Sequence, residues 1–121
     1  MYEVATNRAC NLILITFRDH VGPAEVTQGR ATVAAALAAL QPGFRLWTDL
    51  TGLDALEYAC APEIETTMDM FRQKGVAEVV RVVSSACKDI GFTVMSYFHF
   101  DPAPPVRTFA SRMEALEKLS V

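Results

Sequence analysis

Two imidazoles, three thiols and a scatter of carboxylates are the groups in this chain with the chemistry to react. Asp19 and His20 stand together at the end of one apolar run, and Asp49 closes another. Two acids and an imidazole meeting at one rim could transfer protons, but nothing in their spacing requires it. Asp19-His20 reads more simply as a solvated turn. By alternation in Tyr97-Phe98-His99-Phe100, His99 shares a face with Tyr97. It is expected as a hydrogen-bonded surface or half-buried side chain rather than a haem or metal ligand. Cys10, Cys60 and Cys87 are odd in number, form no CxxC pair and have no His at zinc-ligand spacing, so they read as reduced, mostly buried thiols. Cys60 has no His or Lys beside it in sequence to make it a nucleophile. Met68, Met70, Met95 and Met113 read as soft core filling. The phosphate-binding patterns GxxxxGK[ST] and GxGxxG are missing, and so is the GxSxG elbow. A receiver domain would need an acidic cluster at its first parallel strand and a Lys after its last; here Asp19 stands alone and the last strand runs into Asp101-Pro102. No catalytic set, cofactor or metal is expected.

The composition sets the frame in which any site must be built. A chain of 121 residues, 51% hydrophobic and 21% charged, suits one domain over residues 1–121. By surface scaling about two-thirds of its unfolded surface can be buried, enough for a core without disulfides or metal. Net charge is −3 and the basic residues are scattered singly. Nucleic acid and anionic membranes, which need concentrated positive charge, are therefore not expected partners. The longest apolar stretches, residues 33–40 and 79–83, fall far short of a membrane span. Met1-Tyr2-Glu3-Val4 has neither the basic nor the apolar region of a secretory signal, so a cytoplasmic location is expected.

The apolar pattern switches repeatedly between strand and helix character. Residues 2–6 and 11–18 (NLILITFR) predict two strands, joined by a turn near Asn7-Arg8 into a hairpin. Gly22-Pro23 opens a helix whose stripe is Val26, Arg30, Val33, Leu37 and Leu40, ended by Gln41-Pro42-Gly43. Residues 44–50 predict a strand and residues 51–60 a long connection. Pro62, Glu63 and Glu65 open a second helix with the stripe Ile64, Met68 and Phe71, and Gly75 is a natural helix stop. Residues 76–83 (VAEVVRVV) predict a strand buried on both faces. One or two helical turns follow over residues 84–90, then a strand over 91–100 and a stiff Pro-rich connector over 101–105. Ser111-Arg112-Met113-Glu114 forms a capping box ahead of a short terminal helix. This alternation predicts an α/β fold: a single, mostly parallel β-sheet with an edge hairpin, covered by α-helices.

Residues 45–83 also carry a resemblance. A strand ending in Asp49-Leu50-Thr51-Gly52-Leu53, an irregular stretch, a helix ending in Gly and a Val-rich strand is similar to the STAS-type, or SpoIIAA-like, family. Residues 106–119 (VRTFASRMEALEKL) look like that family's closing helix, so the resemblance spans nearly the whole chain. It implies a regulatory or binding module without catalysis, of the kind used as anti-sigma-factor antagonists and in transporters and signalling complexes. Related groups bind lipids or other ligands. One departure matters. Counting on from Asp49 to the family's phosphoacceptor serine lands on Glu57-Tyr58-Ala59-Cys60, where there is no serine. The two negative charges that a phosphoserine would bring to a helix N-terminus have no hydroxyl to carry them, and Tyr58 is not an equivalent acceptor.

In open α/β sheets, sites gather beyond the carboxyl ends of the strands. Those ends supply Asp19, His20, Thr48, Asp49, Thr51, Ser84 and Ser85, with the connection over residues 51–60 overhanging them. The favoured reading is a protein-docking surface made from Asp49, Thr51, Asp54, Glu57, Tyr58 and Cys60, with a homodimer as a compatible assembly. Asp49 and Thr51 also read as local braces of the connection. The alternative is an apolar cavity under the helices for a lipid-like or aromatic small molecule, suggested by the aromatic and Met content of the last strand and second helix. An enzyme using Asp19, Asp49 and His20 ranks third.

Overall fold

The computed structural model describes residues 1–83 and 106–119. β1 (Tyr2–Asn7) and β2 (Leu12–Val21) form the expected hairpin. Asn11 turns it at φ 52°, a left-handed conformation that Asn tolerates. Its amide then clasps the end of the first helix, accepting from the Gln41 N–H at 2.9 Å and donating to the Gln41 carbonyl at 3.2 Å. That helix, α1 (Pro23–Ala39), starts on a proline whose missing N–H would have had no helical partner. β3 (Arg45–Leu56) leads to α2 (Cys60–Lys74), β4 (Glu78–Val82), β5 (Val106–Phe109) and α3 (Arg112–Leu119). The strands lie side by side in sequence order, β1 antiparallel to β2 and every later pair parallel.

The period of two splits each central strand between two covering layers. Ile13, Ile15, Phe17, Leu46, Leu50 and Val79 bury their side chains against α1 and α2. Trp47, Val80, Val82 and Phe109 turn the other way and pack with Ala115 of α3, flanked by Leu12 and Leu14. The stripes foreseen on both long helices are buried as expected: Val26, Val33 and Leu37 on α1, and Ile64, Met68 and Phe71 on α2. Gly75 ends α2 at φ 96°, donating its N–H to the Phe71 and Arg72 carbonyls, each at 3.1 Å.

Several expectations are corrected. Residues 51–56 are not a connection: β3 continues through them, pairing Gly52 with Arg18 and Leu56 with Val21. Two register shifts, with Asp19 at φ 56° beside them, insert extra residues into β3 and return Leu53 to the buried face. The same pairing makes Asp19-His20 strand residues rather than a free turn. The connection shrinks to residues 57–59, and α2 starts at Cys60, two residues before Pro62, which still falls within the first turn. Residues 106–109 form a strand where only approach to the last helix was expected. The Ser111 hydroxyl accepts from the Glu114 N–H at 3.1 Å as foreseen, but the Glu114 carboxylate caps the Ala110 N–H instead of closing the box on Ser111. Cys10 and Met113 are exposed rather than buried. The expectations for residues 84–105, including Ser84, Ser85, Cys87, Met95 and His99, lie outside the described residues.

α1 and α2 are joined by an ion pair of Arg30 with Glu63, whose carboxylate also accepts from the Thr27 hydroxyl at 3.0 Å. Alongside it the Tyr2 ring meets Phe17 edge-on at 5.1 Å and lies over Gly29. Burial raises the Tyr2 phenol pKa well above its ordinary range, with Arg30 partly opposing. A Cβ on Gly29 would sit 2.3 Å from Tyr2 Cε1. Gly29→Ala is therefore expected to destabilise the protein: overpacking costs about 1–3 kcal/mol and exceeds the gain of about 1 kcal/mol in helix propensity. In a Tyr2→Ala background the same change becomes stabilising. Urea unfolding of the four chains checks this, and an equal loss in both backgrounds would refute the contact.

Candidate functional site

Between β1, β2, β3 and α3 the sheet carries a polar cluster. Alternation puts Thr16 and Arg18 of β2 and Asp49 and Thr51 of β3 on the side that α3 covers, and β2–β3 pairing sets Thr16 directly opposite Asp49. Asp49 is only 5% exposed, and three donors converge on its carboxylate. Oδ1 accepts from the Thr51 N–H at 2.9 Å and the Thr51 hydroxyl at 2.6 Å, and Oδ2 accepts from Arg112 Nε. Arg112 Nη2 reaches across to the Thr16 hydroxyl at 3.2 Å. Arg18 is paired with Glu3 at 2.6 Å. These residues, with Gly52, line a hollow of about 320 Å³.

Burial works against the charge on Asp49, but the bonds from Thr51 and Arg112 prevail and hold the carboxyl below its ordinary range. Such a group is ionised, saturated with donors and electrically balanced. It suits positioning far better than proton transfer. His20 does not join it: His20 pairs with Ala55, six residues along β3 from Asp49, or about 20 Å of strand. The acid–base set of Asp19, His20 and Asp49 therefore does not assemble. Among the described residues no group of three or more His, Cys, Asp or Glu could hold a metal ion, and no helix is long and apolar enough to cross a membrane.

The six docking candidates separate into three places. Asp49 and Thr51 belong to the cluster under α3, where Thr51 braces Asp49 as foreseen. Asp54, Glu57 and Tyr58 stand on the surface at the end of β3, Tyr58 80% exposed. Cys60 is fully buried, its thiol 3.5 Å from the Val21 carbonyl, and burial together with the Glu57 and Glu25 charges raises its pKa. The turn that presents Tyr58 is held by three backbone bonds: Glu57 N–H to Val21 at 3.1 Å, Cys60 N–H to Glu57 at 2.9 Å and Ala61 N–H to Tyr58 at 3.1 Å. His20 Nε2 lies 3.2 Å from the Glu57 carboxylate. Thr48, placed at the rim by sequence, is buried and donates to the Val80 carbonyl at 3.2 Å.

Sequence reasoning missed Glu3, Thr16, Arg18, Trp47 and Arg112. The alternation Trp47, Asp49, Thr51 was a signal that these three share a face. Nothing local announced that Arg112, 63 residues away, would meet Asp49.

The chain superposes on a DUF3478-family protein of Shewanella loihica, described as having a SpoIIAA-like fold, with a TM-score of 0.68 at 16% identity, covering 98% of this chain and 92% of that one. It superposes on the anti-sigma-factor antagonist SpoIIAA in its unphosphorylated form with a TM-score of 0.63 at 13% identity, covering 99% and 98%. The fold is SpoIIAA-like. An anti-sigma-factor antagonist from Mycobacterium paratuberculosis shares this architecture, with a TM-score of 0.57 at 11% identity over 100% of this chain and 94% of that one. The sequence itself matches no protein-family model and no curated protein. The SpoIIAA-like arrangement agrees with the resemblance seen in residues 45–83 and 106–119.

The lowered pKa of Asp49 fixes the sign of a pH effect. Its contribution is present above the unfolded carboxyl value and lost as pH falls through the lower folded one. Asp49→Asn is expected to cost about 1–2 kcal/mol at pH 7, a moderate figure because Arg112 is half exposed. The gap from the parent chain should shrink as pH drops below about 4. Denaturant unfolding from pH 7 to pH 2.5 measures it; a gap constant over that range would contradict the clamp.

Proposed function

We propose that this chain is a non-catalytic, cytoplasmic regulatory module that docks a protein partner at the end of β3. The observation that carries the reading is Tyr58, 80% exposed on a turn pinned by three backbone hydrogen bonds. A large amphipathic ring with few rotatable bonds, carried on a turn of fixed backbone, is a favourable contact because little conformational freedom is lost when it is covered. Asp54 and Glu57 flank it and the exposed Glu65 follows on α2, so the complementary surface is basic. The saturated state of Asp49 and the separation of His20 from it favour binding over catalysis.

The SpoIIAA-like fold supports a regulatory reading, since that protein and the mycobacterial one are described as anti-sigma-factor antagonists. SpoIIAA is also described in a phosphorylated form. The stretch that the count from Asp49 sets against the family's phosphoacceptor reads Glu57-Tyr58-Ala59-Cys60, which supports a docking surface that is acidic by composition rather than by modification. Glu57 supplies a permanent negative charge one turn ahead of α2, where the helix dipole favours it.

The test is affinity capture from a lysate with identification of the captured proteins, comparing the parent chain with Asp54→Ala/Glu57→Ala/Tyr58→Ala. A discrete partner that binds the parent chain is expected to lose at least tenfold in affinity for the triple variant, with the thermal midpoint unchanged because all three side chains are exposed. Equal capture by both chains would remove this surface from consideration.

A further inference from the structure

Among the described residues, α3 is fastened to the sheet by little besides one ion pair. Of its side chains only Ala115 is buried there, in the cluster with Trp47, Val80, Val82 and Phe109. The larger apolar ones stay in solvent: Met113 is 68% exposed and Leu116 45%. The caps are local, since the Ser111 hydroxyl and the Glu114 carboxylate serve the N–H groups of Glu114 and Ala110. Arg112 is the polar tie that crosses to the strands, through Asp49 on β3 and Thr16 on β2. The closed arrangement also forgoes one interaction: the Trp47 indole N–H is buried with no acceptor among the described residues.

We propose that α3 is a latch: it opens and recloses as a unit while the sheet stays folded, and the Arg112–Asp49 bond sets how often. Stability is spread unevenly through a fold, and segments with few buried apolar contacts open at a fraction of the global cost. Eight residues are too few for a helix to persist once detached, so release and unfolding of α3 are one event. A buried methyl group removes little area from water, which leaves the Arg112–Asp49 bond as the larger of the described contacts. That bond exists only in the closed state. Its strength therefore governs access to the apolar face of Trp47, Val82 and Phe109 that Ala115 packs against. The latch is independent of the docking surface, because Tyr58 leads into α2, which covers the opposite face.

Amide hydrogen exchange of the full chain, followed residue by residue by NMR, is the test. The amides of residues 115–118 are expected to be at least a hundredfold less protected than those of residues 46–50 in β3. Two variants then separate a latch from global unfolding. Ile64→Val weakens the α2 side of the core, which is intact whether the latch is open or closed. It should raise exchange at residues 46–50 at least twofold and leave residues 115–118 unchanged. Arg112→Gln weakens the closed state alone, so it should raise exchange in both segments by the same factor, at least fivefold. Equal protection of the two segments would overturn the proposal, because α3 would then open only with the whole molecule. So would a rise at residues 115–118 in Ile64→Val that matches the rise in β3, or exchange there unmoved by Arg112→Gln. Should Arg112→Gln lose its fold by circular dichroism, Ile64→Val decides.

Discussion

A buried carboxylate on the central strand is the constraint around which the molecule is arranged. β3 lies between β2 and β4 and is covered on both faces, so its side chains must satisfy two layers at once. Leu46 and Leu50 do so with hydrocarbon on the α1 and α2 side. On the other side the strand presents Trp47 and then Asp49, and an ion in that position needs donors on every open lone pair. Thr51 supplies two, from the same strand. The third comes from Arg112, and with it the location of α3 on the sheet is specified. Thr16, the cross-strand neighbour of Asp49, receives the other arm of the guanidinium, so one side chain fastens α3 to β2 and β3 together.

Where local pattern and tertiary role agree, the sequence was sufficient. The Val-rich run around Val79–Val82, the stripes of α1 and α2 and the left-handed Gly75 all have one physical solution, and that solution is what forms. Residues 51–56 are different. Two register shifts break their alternation, and exposed Thr51, Gly52, Asp54 and Ala55 surround the single buried Leu53. Such a segment looks like a loop because its pairing partner, the end of β2, is also irregular at Asp19. The strand exists because each stretch supplies the backbone partners that the other lacks. The four residues of β5 were invisible for a related reason: a strand that short carries no period, and its pairing with β4 is a property of the whole sheet.

The candidate sites divide along the same line. Asp54, Glu57 and Tyr58 could be chosen from sequence because exposed polar and aromatic residues between a strand and a helix need no tertiary explanation. Asp49 and Thr51 were recognised as a local brace, but their third partner was not, since a guanidinium 63 residues away leaves no trace near Asp49. Cys60 was grouped with the surface by its place in the chain, and the early start of α2 instead turns its thiol into the core. Trp47 passed as one more apolar strand residue. Its N–H becomes a question only once the strand is seen to be covered on that face.

β1 is the outer margin of the sheet. It is six residues long, mostly exposed, and carries Glu3 tethered to Arg18. Short, charged borders of this type discourage a stray chain from zippering onto an open backbone edge. Polymerisation by strand addition is thereby disfavoured at that border, and selectivity for companions is left to side-chain relief rather than to main-chain pairing, which any extended peptide could offer.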